Sequence, residues 1–113
     1  MPTVGFVHDG SSIDYTPGAD VAAGDVVVQG DLVGVAKLDI ASGKLGALAA
    51  AGVFDFPKAT GGGTAIAVGT IVYWDVADTQ AKADAEAGAN KKIGTTVLAA
   101  ADDDTTVRVR MSQ

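Results

Sequence analysis

The sequence predicts an all-β chain: a small single-domain β-barrel or jelly-roll-like sandwich over residues 1–113, strung on tight glycine turns. Three observations predict it. A short phrase recurs three times, as Val21-Ala22-Ala23-Gly24-Asp25-Val26, as Ile40-Ala41-Ser42-Gly43-Lys44-Leu45, and as Ile66-Ala67-Val68-Gly69-Thr70-Ile71. Each puts a glycine just before an apolar run, which reads as a turn opening into a strand, because glycine takes positive φ without a Cβ penalty. The apolar runs are short and alternate with polar residues, the period of a strand. The Ala-rich stretch Ala77 to Ala89 lacks the apolar stripe of large residues that a packed helix shows.

Taken in order, Thr3 to His8 alternates and reads as a first strand, with Val4 and Phe6 on one face. Ser12 to Thr16 is a second, with Ile13 and Tyr15 opposite Asp14, closed by Pro17-Gly18. Val26 to Gln29 and Leu32 to Ala36 flank Gly30-Asp31, a two-residue hairpin loop. Lys44 to Ala49 is the next strand. Its neighbourhood is rich in Ala and Leu, but Gly43, Gly46 and Gly52 oppose a helix at about 1 kcal/mol each. Val53 to Phe56 alternates and Pro57 ends it. Gly61-Gly62-Gly63 reads as a flexible connector. Thr70 to Asp75 is a strand carrying the only tryptophan, Trp74. Gln80 to Ala83 reads as a weak strand or extended loop, with a turn near Gly88-Ala89-Asn90. Ile93 to Ala100 and Thr105 to Met111 are the last two strands, joined through Asp102-Asp103-Asp104. The strand phases predict a core of Phe6, Val27, Leu32, Val35, Phe54, Ile71, Val97 and Val107.

Composition limits function. A chain of 113 residues supports one small core. Aromatics make up only 5%, so a single chain packs thinly, and oligomerisation would complete the burial. A formal net charge of −6 disfavours nonspecific binding to nucleic acid. With no cysteine and one histidine, His8, a zinc site of the usual type is not expected. His8 and Asp9 are adjacent, so in a strand they face opposite sides and make no catalytic pair. The three consecutive aspartates lack the spacing of a calcium loop. The Gly61-Gly62-Gly63 run lacks the Gly-Lys-Ser/Thr ending of a phosphate loop. No base stands near the serines to build a hydrolase triad. The expected inventory is therefore no catalytic residue, no cofactor and no metal. The N-terminus lacks the charged and apolar regions of a signal peptide, and Leu45 to Phe54 is far short of a membrane span. Arg108 and Arg110 share one face of the last strand and are candidate contacts between subunits.

The run Ile13-Asp14-Tyr15-Thr16, then Ala19 to Val28, then Leu32-Val33-Gly34-Val35-Ala36 resembles the capsid cement or decoration proteins of tailed phages. So do Gly52-Val53-Phe54-Asp55-Phe56-Pro57-Lys58, Val72-Tyr73-Trp74-Asp75 and Thr106-Val107-Arg108-Val109-Arg110. The resemblance runs in order along nearly the whole chain and is weakest from Asp75 to Lys92. It implies a structural virion protein, made in the host cytoplasm, that binds the outer capsid surface as a dimer or trimer. There it would clamp neighbouring major capsid protein subunits against the pressure of packaged DNA, with no nucleic acid or membrane partner. Some family members carry the label of predicted recombinases, which this chain, without a phosphate loop, does not support. The rival reading is a small ligand- or carbohydrate-binding β module, which exposed aromatics near Trp74 would favour.

Overall fold

The computed structural model describes residues 10–112, so the strand expected at Thr3 to His8, with Phe6 and His8, lies outside the described residues. Nine strands are formed among the described residues: β1 Ser12–Tyr15, β2 Val26–Gln29, β3 Leu32–Ala36, β4 Gly46–Ala49, β5 Gly52–Pro57, β6 Ile71–Asp75, β7 Gln80–Lys82, β8 Lys91–Thr96 and β9 Thr106–Met111. They make two antiparallel sheets, ordered β1-β4-β3-β2 and β5-β9-β8-β6-β7. The expected class, all-β, is observed, in its sandwich form. The barrel form is not: among the described residues the sheets do not close, and each ends on edge strands, β1 and β2 in one, β5 and β7 in the other.

The two sheets are one module used twice. Each runs strand, hairpin pair, returning strand in the Greek-key order, with β1, β4, β3, β2 matched by β5, β9, β8, β6 and β7 added at the edge. Four backbone bonds at the turns have counterparts in both sheets. Val21 and Ile40 exchange backbone hydrogen bonds, both 2.8 Å, and Ile66 and Ala100 do the same at 2.9 and 2.8 Å. Gly24 N–H donates to Ala36 O at 2.6 Å and Ala36 N–H to Asp25 O at 2.9 Å. The counterparts are Gly69 N–H to Thr96 O at 3.0 Å and Thr96 N–H to Thr70 O at 2.9 Å. The recurring phrase thus has a fourth copy, Ala100-Ala101-Asp102-Asp103-Asp104, hidden because it has no glycine. Gly24, Gly43 and Gly69 stand at φ 92°, 76° and 80° in the other three.

The hairpin of β2 and β3 pairs Gln29 with Leu32 across Gly30-Asp31, at the expected register. β5 pairs with β9 over its full length, Gly52 to Pro57 against Met111 to Thr106. The core lies between the sheets. Val35 and Ala49, flanked by half-buried Val26 and Val28, meet Phe56, Val72, Trp74, Ile93 and Val109. Phe56 packs at 6.4 Å from Phe54, edge to face, and 6.1 Å from Trp74. A smaller cluster of Ala36, Ile40 and Leu48 sits on the other face of the first sheet.

The expected core needs correction. Val35 and Val107 are buried, but Val27, Leu32 and Phe54 are only half-buried, and Ile71 and Val97 are exposed. β6 is apolar in both phases, so alternation could not choose its face; Val72 and Trp74 point inward and Ile71 outward. Val97 falls past the end of β8, where the chain bends to bring Ala100 to Ile66. The strand expected through Ala100 therefore stops at Thr96. Of the two phenylalanines of β5, Phe56 is buried and Phe54 is only half-buried. The expected turn near Gly88 is a single 3-10 turn, Glu86–Gly88, and Asn90 behind it is buried with Nδ2 donating to Asp84 O at 2.8 Å.

Candidate interaction surface

Alternation along β9 puts Val107, Val109 and Met111 into the core and Arg108 and Arg110 on the outer face. Asp55 lies directly across from Arg108 on β5. The Arg108 guanidinium grips it with two bonds, Nε to Oδ1 at 2.9 Å and Nη2 to Oδ2 at 3.2 Å. This fork holds the Asp55 carboxyl below the usual carboxylate range and raises Arg108. Arg110 lies between Val53 and Thr95, is exposed, and makes no ion pair among the described residues. The two arginines thus share a face but differ: one is occupied within its own chain and the other is open.

A second ion pair lies at the far edge. Asp75, buried on β6, meets Lys82 of β7 at 2.8 Å, and Lys82 also meets Asp78. The Lys82 hydrogen bond is the main cause that lowers Asp75 below the ordinary carboxylate range. Lys91 of β8 reaches Asp31 in the first sheet's hairpin at 2.8 Å, tying the sheets together at the surface. Beside β2 an open apolar groove of about 790 Å³ is lined by Val26, Val28, Pro57, Trp74 and Val76. Trp74 itself is only 6% exposed, so it offers no aromatic platform for a sugar.

Lys58 closes the Gly52 to Lys58 segment of the resemblance, which gives it no role. It is buried, and its Nζ donates to Ala59 O at 2.7 Å, Asp104 O at 3.2 Å, and Asp102 O and Thr64 Oγ1 at 3.4 Å. Asp102 Oδ1 in turn accepts from Thr64 N at 3.1 Å and Ala65 N at 2.8 Å. The glycine run and the aspartate turn, read as a flexible connector and a solvated turn, are therefore pinned to each other. Nothing in the sequence marks this, because a lysine after a proline is usually solvated. No group of three or more His, Cys, Asp or Glu side chains among the described residues could hold a metal ion. No helix among them is long and apolar enough to cross a membrane.

Two Greek-key sheets that share a core, braced by surface ion pairs, define a small all-β scaffold. The chain belongs to the phage cement protein family, whose description it matches over residues 7–111. That membership gives it a structural role at the phage capsid. No curated protein and no solved structure matches it.

Proposed function

We propose that this protein, as a single β domain, binds the outer surface of a phage capsid and stabilises the contacts between major capsid protein subunits. The family match over residues 7–111 carries this reading. The net charge of −6 supports an outward position, away from packaged DNA. It acts as a symmetric homo-oligomer, dimer or trimer, at junctions between capsomers, where each protomer meets an equivalent subunit. Arg110, open on the outer face of the second sheet, and Arg108 beside it are the contacts proposed between subunits. The role is mechanical, with no catalytic step, cofactor, nucleic acid or membrane. It is made in the host cytoplasm and ends on the virion.

The test is to mix purified protein with capsids lacking it, image them by electron microscopy, and heat them. Regular density on the outer surface and a higher temperature of capsid rupture are expected. Bare capsids that break at the same temperature would refute the reading.

A further inference from the structure

The two halves of the molecule agree in fold far more than in sequence, so the side chains they share invite a reason. Gly34 and Gly94 hold matching places in β3 and β8, and both have a structural reason. A Cβ on Gly34 would stand 2.8 Å from Leu48 Cβ, and one on Gly94 would stand 2.0 Å from Arg110 O. The bends that follow are Lys37-Leu38-Asp39 and Val97-Leu98-Ala99, each linking its strand to the bridge residue, Ile40 or Ala100. Only the leucine is the same, and in both bends it is exposed along with its neighbours. Leu38 is 77% exposed and Leu98 54%. The fold gains nothing from either, since a polar side chain would fit both places at no packing cost. Val97 and Val68 of the second half are exposed as well.

We infer that Leu38 and Leu98 are paired docking knobs, one on each module, that insert into the same apolar pocket on two neighbouring subunits of the capsid shell. The inference rests on the cement reading above and adds the surface and the mode of contact. A shell offers many copies of one surface, and a molecule that carries one module twice can engage two of them at once. Each knob then needs only modest strength, because the second docks at the high effective concentration set by the first. A leucine side chain also loses less rotamer freedom on docking than a long charged one.

The experiment measures co-sedimentation of wild type, Leu38→Ser, Leu98→Ser and the double variant with shells lacking the protein. Melting and sedimentation of the free protein are followed in parallel. Both side chains are exposed, so all variants should melt with the wild type. Each single variant should bind roughly 10-fold more weakly, and the double variant should lose binding by roughly 100-fold or more. A double variant that binds like wild type overturns the knobs and leaves the cement reading standing. Wild type that does not bind shells overturns both. Variants that change the free protein's oligomeric state but not shell binding assign the leucines to a second copy of this chain, and overturn the inference as well.

Discussion

Phe56 is 2% exposed and packs against the rings of Phe54 and Trp74, while Phe54, two residues earlier on the same face, is half-buried. Truncation should separate them. Phe56→Ala should cost about 3–5 kcal/mol, near the whole stability of a small domain, and Phe54→Ala clearly less. Chemical denaturation of the two variants checks the order, and equal losses would contradict this packing. Lys58 gives a second test. Lys58→Met keeps most of the volume but leaves the carbonyls of Ala59 and Asp104 without the lysine donor, while Asp102 O keeps its bonds from Gly61 N–H and Thr64 Oγ1. A loss of about 1–3 kcal/mol is expected, against little for the exposed Lys44. The titrating carboxyls act in acid. Asp55 and Asp75 have pKa values lowered from 3.8 by Arg108 and Lys82, so they bind protons less readily folded than unfolded. Their contribution is complete above that unfolded value and is lost as pH falls through the lower folded one. Melting should therefore hold steady from neutral pH to about pH 5 and drop below about pH 4, less steeply in Asp75→Asn. A decline centred near pH 6 would contradict it.

At the scale of elements, close approach decides which glycines matter. Gly69 sits at φ 80° in open space, so Gly69→Ala pays only for backbone strain, about 1 kcal/mol. Gly94 has no such φ, yet its Cβ would strike the backbone of β9. Gly94→Ala should part β8 from β9 and cost about 3 kcal/mol or more. Amide exchange across these strands reads the difference. Equal protection in both variants would count against the register of Gly94 with Met111. Much at this scale was readable from sequence. The hairpin around Gly30-Asp31 follows from two apolar runs and a two-residue turn, and the alternation of β9 follows from Val107-Arg108-Val109-Arg110-Met111. Each signal is local, and the structure preserves it. The bend at Val97 left no mark, because the bond that causes it comes from Ile66, far away in the chain.

At the scale of the whole molecule, thin packing and a repeated module both point outward, toward partners. The free protein should sediment at micromolar concentration as a dimer or trimer. A strict monomer would remove the oligomer from the proposed function while leaving shell binding open to its own test. The arginine pair was a sequence expectation as a contact between subunits. The structure shows Arg108 already held by Asp55 of its own chain, so Arg110→Ala should weaken self-association more than Arg108→Ala. Analytical ultracentrifugation of both variants decides it.

By itself, the sequence determined the all-β class, the described strands and most of their ends to within one residue, and the kinship with phage cement proteins, because alternation, turn glycines and ordered motifs are properties of neighbouring residues. Tertiary structure alone decided that the sheets stay open as a sandwich, that Phe56 and Trp74 rather than Ile71 fill the core, and that Lys58 is buried. It alone revealed the second module beneath a diverged sequence. The reason is physical: a strand's edge, face and burial depend on what pairs and packs against it, and those partners lie tens of residues away.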